Sequence, residues 1–99
     1  MSTVCRKATA ERSDQGREAR SGLLAAESNL RRALGDFAAA GELAAEALAL
    51  LEQLHGPDDV RVARAHTNLG TSLFDRGDYP RAEQQYRRAL TLFEQNLGP

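Results

Sequence analysis

The side chains best suited to acid–base or metal chemistry in this chain are its two histidines. His66 lies among apolar residues at helical spacing, and His55 lies in the last turn of a helical segment, where an imidazole favourably meets carbonyl groups. Glu52 and His55 have the spacing used in di-iron carboxylate sites, but such a site needs a second Glu-x-x-His pair, which the chain lacks. Phosphate loops, Gly-x-Ser-x-Gly elbows and paired cysteines are also missing. The sequence therefore predicts no metal, no cofactor and no enzyme activity.

Two arginine pairs, Arg31-Arg32 and Arg87-Arg88, have the charge needed to contact a phosphate group. The chain has 13 basic and 14 acidic residues and a formal net charge of −1, so no overall field attracts a polyanion. The pairs also lack interleaved aromatic residues on which bases could stack. We expect no nucleic-acid partner and assign both pairs to solvated helix faces.

Four polar side chains form a more promising surface for contact with a partner. They follow one another at spacings of four, three and four residues, which places them on one face of a helix. They are Arg64, Asn68, Thr71 and Asp75. Such a stripe fits a binding surface or an ordinary solvated helix face, and the spacing leaves both interpretations open.

The elements that position these side chains are predicted to be helices. The apolar residues, 41% of the 99, are mostly Ala and Leu, which favour helices, and few are β-branched or aromatic. The single Cys5 cannot form an intrachain disulfide, which suits a reducing compartment. No segment resembles a secretory signal or approaches the roughly 20 apolar residues of a membrane span. We expect a cytoplasmic protein with no membrane partner.

An internal repeat of 42 residues organises the chain. Residues 36–57 align with residues 78–99 without a gap, and nine of the 22 positions are identical. Each copy begins with an Asp suited to capping a helix, Asp36 or Asp78, and ends in Gly-Pro, which stops one. A period of this length indicates an array of stacked units.

A second helix precedes the later copy and forms a hairpin with it. Apolar residues between Asp59 and Arg76 recur on one face, and Gly77 provides the stop. Only Gly77 and Asp78 separate the two helices, and so short a connection makes them antiparallel neighbours. In the following helix the spacing predicts one packing face formed by Tyr79, Ala82, Tyr86, Ala89, Leu90, Phe93 and Leu97.

This hairpin resembles the tetratricopeptide repeat. The positions that carry the resemblance are Leu69, Gly70, Leu73, Gly77, Tyr79, Ala82, Tyr86 and Ala89. The period and the Glu-Gln-x-x-Gly-Pro ending are similar to the longer repeats of kinesin light chains. The resemblance implies an all-α fold of two antiparallel helical hairpins stacked as a short α-solenoid. It also implies that this polar face of the helix, with Arg64, Asn68, Thr71 and Asp75, lines a concave groove, where the Asn68 amide can hold the backbone of a peptide.

The repeat predicts three segments. Residues 1–17 are expected to be disordered or frayed, residues 18–57 to form a first hairpin with a degenerate first helix, and residues 58–99 to form a second hairpin. We expect the degenerate helix to run from about Glu18 to Leu34.

The alignment of the degenerate helix allows two registers. A constant offset of 42 places Ser28 at the position of Gly70, whereas a one-residue insertion before Gly35 aligns Leu30 with Leu73. The insertion also aligns Ala26 with Leu69, which restores a small or apolar residue at both positions. We therefore favour the insertion.

Two functions fit these patterns. The first is a non-catalytic scaffold or adaptor that binds a peptide or helix of a partner protein on its concave face. The second is an end piece of a longer array or a self-associating repeat, for example from a bacterial signalling or regulatory protein, because roughly three units are usually needed for stability. Without a polar capping helix, we expect Leu92, Phe93 and Leu97 to lack part of their cover. Dimers or weak folding of the isolated chain would follow.

Overall fold

A computed structural model describes residues 13–98 of the chain and shows them as four α-helices. The helices are α1 (Asp14–Ala33), α2 (Phe37–His55), α3 (Val60–Asp75) and α4 (Tyr79–Leu97). The helix α1 packs against α2, α3 packs against α4, and α2 also packs against α3, which joins the two hairpins. The predicted all-α architecture of two stacked hairpins is confirmed.

The 42-residue repeat extends to the backbone of the two hairpin turns. The amide of Asp36 donates to the carbonyl of Arg31 at 2.9 Å, and 42 residues later the amide of Asp78 donates to the carbonyl of Leu73 at the same distance. Between the helices, Gly35 and Gly77 have φ angles of 84° and 87°, a conformation that favours glycine. No residue is inserted before Gly35, and the register that we favoured from the sequence is wrong.

A serine in the close crossing of the first hairpin explains the error. Ser28 is buried and donates its hydroxyl hydrogen to the carbonyl of Ala40 at 2.8 Å. Gly70 lies in the equivalent place against Ala82, so Ser28 replaces Gly70 at the constant offset of 42. Leu30 is 57% exposed and fills no core position. A small polar residue is accepted at the crossing because its hydroxyl group finds an acceptor there.

The caps of the helices follow the predicted pattern with one exception. Asp36 accepts a hydrogen bond from the amide of Ala39 at 3.3 Å, as expected of an N-cap. Asp78 occupies the N-cap position of α4 but makes no capping bond. Its carboxylate lies 3.5 Å from the guanidinium of Arg81. Asp78 is therefore the N-cap residue, as predicted, but its carboxylate pairs with Arg81 and makes no capping hydrogen bond.

The first helix begins earlier than the sequence indicated. The expected frayed segment reached residue 17, but α1 starts at Asp14, and Ser13 accepts a capping hydrogen bond from the amide of Gly16 at 3.1 Å. Arg17 and Asp14 form an ion pair at 2.7 Å within this first turn. Residues 13–17 thus belong to the first hairpin. Residues 1–12, including Cys5, lie outside the described residues.

The core lies where α2, α3 and α4 meet. It consists of Leu48, Val62, Ala63, Ala65 and Leu92, with Leu51, Leu69 and Phe93 packed against it. Leu92 is fully buried, so the expectation that it lacks cover is wrong: it packs into the junction between the hairpins.

The predicted packing face of α4 divides into two parts. Ala82 and Ala89 are buried, and Phe93 is half-buried. The remaining members of that face, Tyr79, Tyr86, Leu90 and Leu97, are exposed. Leu97 is therefore exposed, as expected. The packing face that the spacing predicted is buried only in part.

Among residues 13–98, no helix is long and apolar enough to cross a membrane.

The crossing at Gly70 yields a test of stability. A Cβ atom at Gly70 would lie 2.9 Å from two ring carbons of Tyr86 and 3.3 Å from the carbonyl oxygen of Ala82. We expect Gly70→Ala to lower the free energy of unfolding by about 1 kcal/mol, because overpacking of about 1–3 kcal/mol exceeds the gain in helix propensity.

Gly22 is the matched control, since a Cβ atom there would meet nothing within 4 Å. Gly22→Ala should raise the free energy of unfolding by about 0.5–1 kcal/mol. Both values are measured by urea denaturation followed by circular dichroism. Equal effects of the two substitutions would contradict the close crossing.

Candidate functional site

A groove between α1 and α3, floored by α2, contains two residues of the predicted polar stripe. Its volume is about 280 Å³. Small-molecule sites occupy roughly 300–1,000 Å³, so this groove suits one or two side chains of a larger ligand. It is lined by Glu18, Ser21, Gly22, Ala25 and Ser28 of α1, Ala44, Ala47 and Leu51 of α2, and Arg61, Arg64, Ala65 and Asn68 of α3.

Small residues on α1 open this groove. At the constant offset of 42, Gly22 corresponds to Arg64 and Ala26 corresponds to Asn68. The first hairpin therefore places little bulk opposite the two polar side chains of the second. The spacing of Ser21, Gly22 and Ala25 was visible in the sequence, but the groove depends on which side of α1 faces α3.

Arg64 and Asn68 are the polar groove residues that remain available to a ligand. Within residues 13–98, neither forms a hydrogen bond or an ion pair through its side chain. Arg64 is exposed and Asn68 is half-buried, one helical turn apart. Both residues line the groove, and their contact with a partner stays a prediction.

Thr71 and Asp75, the other members of the predicted polar stripe, are engaged elsewhere. The Thr71 hydroxyl lies 3.0 Å from the Tyr86 hydroxyl of α4 and also donates to the carbonyl of Thr67. Asp75 accepts a hydrogen bond from Arg32 of α1 at 2.9 Å. The structure therefore brings Arg64 and Asn68 together and leaves Thr71 and Asp75 outside the groove lining.

The two histidines both connect helices. His66 of α3 contacts α4, with Nδ1 at 2.6 Å from Oε1 of Gln85. His55, in the last turn of α2, contacts a different helix: its Nε2 lies 2.7 Å from Oε2 of Glu18 in α1. The spacing could not indicate this contact, because the two residues are 37 positions apart. Within residues 13–98, no three His, Cys, Asp or Glu side chains cluster as metal ligands would.

Asp59 binds Arg61 at the cationic end of the groove. As N-cap of α3, Asp59 accepts from the amide of Arg61 at 2.8 Å, and its two carboxylate oxygens accept from Nε and Nη2 of the same residue at 2.9 and 3.1 Å. These side-chain and backbone hydrogen bonds lower the pKa of Asp59 to about 2. Arg61 is thereby paired within its own helix turn, and Arg64 remains the unpaired cation of the groove.

Capped helices, paired into hairpins and repeated at a fixed offset, define a helical-repeat protein. Residues 23–95 match the model of the tetratricopeptide repeat family. The chain therefore belongs to the tetratricopeptide repeat family, whose repeats are generally non-catalytic modules for protein–protein interaction. No curated protein matches the chain.

The Asp59–Arg61 contact predicts a titration at low pH. The pKa of Asp59 is lowered from 3.8 to about 2 in the folded chain. The contribution of the ionised carboxylate to stability is therefore complete above the pKa of the unfolded chain and is lost as the pH falls through the pKa of the folded chain. Carboxyl chemical shifts in NMR should show Asp59 titrating near pH 2. In Arg61→Gln, which loses the guanidinium but keeps the amide, the pKa of Asp59 should rise toward 3.8.

A titration of Asp59 near 3.8 in the unmodified chain would contradict the geometry. Arg88→Gln serves as the control, because Arg88 pairs with Asp58 and not with Asp59, so the pKa of Asp59 should stay at about 2 in that variant.

Proposed function

We propose that the chain is a non-catalytic adaptor that binds an extended segment or a helix of a partner protein in the groove between α1 and α3. The observation that carries this proposal is the presence of two unpaired polar side chains, Arg64 and Asn68, beside an apolar floor. Family membership supports a protein partner, since the repeats of this family are interaction modules.

The groove favours a ligand of defined chemistry. The Asn68 amide offers two donors and an acceptor, which matches the N–H and C=O groups of a peptide backbone. The floor, formed by Ala44, Ala47 and Leu51, suits one apolar side chain. Arg64 is exposed at the rim and can form a bidentate bond with a carboxylate. The preferred segment therefore carries an acidic residue next to an apolar one.

Thr71 and Asp75 are not assigned to ligand contact. Their polar atoms already bind groups on α4 and α1. Freeing them would break contacts within the fold, so the binding surface is narrower than the polar stripe of α3.

A displayed library of random peptides, selected on the full chain, tests the proposal. Affinities of the selected peptides are measured by fluorescence anisotropy. We expect Arg64→Ala and Asn68→Ala each to weaken binding about tenfold, because a hydrogen bond to a charged or buried polar group contributes about 1–2 kcal/mol. Arg64→Glu should restore affinity for a peptide whose acidic residue is replaced by Lys.

The control is Arg87→Ala, because Arg87 is exposed on α4 and pairs with Glu83 away from the groove. This variant should bind as the unmodified chain does. Peptides that bind the Arg64→Ala, Asn68→Ala double variant with unchanged affinity would place the binding surface elsewhere and refute the proposal.

A further inference from the structure

One end of the stack presents an exposed apolar surface on α4, which we call the α4 face. It consists of Tyr79, Tyr86, Leu90 and Leu97, which are 59%, 37%, 59% and 72% exposed. Phe74 of α3 extends it, with its ring centroid 5.1 Å from that of Tyr79. Large apolar side chains that gather on one surface usually mark an interaction site.

The opposite end of the stack presents a second apolar surface, on α1, which we call the α1 face. Leu23, Leu30 and Leu34 follow one another at spacings of seven and four residues and so lie on one side of the helix. They are 57%, 57% and 68% exposed. Both outer helices of this two-hairpin stack thus expose apolar side chains.

The internal junction shows what covers such surfaces. On α2, Ala44 and Leu48 are 3% and 8% exposed, and their counterparts 42 residues later are Tyr86 and Leu90 of the α4 face. Leu48 packs in the core with α3 residues. The α4 face therefore corresponds, at the offset of 42, to the surface of α2 against which α3 packs.

The same relation holds for the other side of the junction. On α3, Ala65 and Ser72 are 5% and 0% exposed, and their counterparts 42 residues earlier are Leu23 and Leu30 of the α1 face. At these four positions, residues buried in the junction correspond to exposed apolar side chains of equal or larger size on the outer helices. Val62 and Gly41, also buried, correspond instead to the charged Arg20 and Glu83.

We propose that a second copy of this chain docks head to tail, with its α1 face on the α4 face of the first copy, as α3 docks on α2. A second copy fits because both faces have counterparts in the interface between α2 and α3. At the offset of 42, the α1 face corresponds to the α3 side of that interface and the α4 face corresponds to the α2 side. One head-to-tail contact buries one α1 face and one α4 face. Pairing of two α4 faces would leave both α1 faces exposed.

The internal junction also sets the register of the proposed contact. Leu48 and Ala65 share the core cluster, which places Leu90 opposite Leu23 of the second copy. A Cβ atom on Gly41 would lie 3.7 Å from Nη1 of Arg76, which places Glu83 opposite Leu34 of the second copy.

Charged side chains flank this contact. Arg31 lies one helical turn before Leu34, and in the docked pair it comes beside the ion pair that Glu83 forms with Arg87 of the same helix. The intermolecular helices lie farther apart than α2 and α3 because both sides carry larger side chains, within the range of about 8–10 Å found for packed helices.

The head-to-tail contact does not close on itself in a dimer. Each added copy leaves one α1 face and one α4 face free, so assembly continues to longer oligomers unless the rotation closes a ring. The weight-average mass in solution should rise with concentration above the 10.8 kDa of one chain.

Two variants, Leu30→Glu and Leu90→Glu, test the proposal by sedimentation equilibrium. Each places a charge on one face at an exposed helical position, where folding is little affected. Either variant alone should sediment as a monomer at all concentrations. An equimolar mixture should form heterodimers of twice the chain mass, because one variant retains its α4 face and the other its α1 face.

The control is Gln84→Glu, which makes the same change of charge at an exposed position on another side of α4 and should associate like the unmodified chain. A second pair, Leu23→Glu and Leu97→Glu, repeats the experiment should either first variant lose its cooperative unfolding by circular dichroism. A monomeric unmodified chain would overturn the proposal. So would Leu30→Glu dimerising alone, since that result would show an α4-to-α4 contact.

Discussion

The close crossing of the two helices in each hairpin is the contact on which the structure depends. In the second hairpin, Gly70 lies against the Tyr86 ring and the Ala82 carbonyl, with no room for a Cβ atom. In the first hairpin the same crossing is made by Ser28, whose hydroxyl group binds the carbonyl of Ala40. The short separation of the helices allows turns as tight as Gly35-Asp36 and Gly77-Asp78 to connect them. Both hairpins therefore have the same shape although their first helices differ in sequence.

Because the hairpins share one shape, they stack with the core at their junction. The Cα atoms extend 51 × 35 × 15 Å, and helices with their side chains are about 10–12 Å across, so the molecule is a thin layer with much exposed surface. The core at the junction is built from a few residues, of which Leu48, Val62 and Leu92 are the largest. A thin stack with a small core derives much of its stability from neighbouring repeats. The exposed surfaces at the ends are a direct consequence of this architecture.

Two surfaces of different chemistry result from the same fold. The groove between α1 and α3 combines a small apolar floor with the unpaired Arg64 and Asn68, which suits selection of a polar ligand segment. The surfaces at the two ends carry exposed Leu and Tyr side chains along α1 and α4, which suits helix–helix packing. The groove lies on the side faces of α1 and α3, so occupation of the ends leaves it open. A ligand in the groove and a cover on the ends would therefore not compete for the same side chains.

Much of this protein is determined by local features of its sequence. Glycine stops, the Asp36 cap and helical periodicity depend on residues within one or two turns of each other, so the hairpins, their approximate bounds and the family could be predicted. The positions of Arg64 and Asn68 on one side of α3 follow from the same local spacing. Other features depend on partners distant in the sequence: Ser28 is buried because Ala40 accepts its hydrogen bond, His55 binds Glu18, and Asp75 binds Arg32. The division of the α4 stripe into buried and exposed residues likewise depends on where α3 lies. Periodicity defines the face of a helix, but only the packing of the other helices decides whether that face is covered.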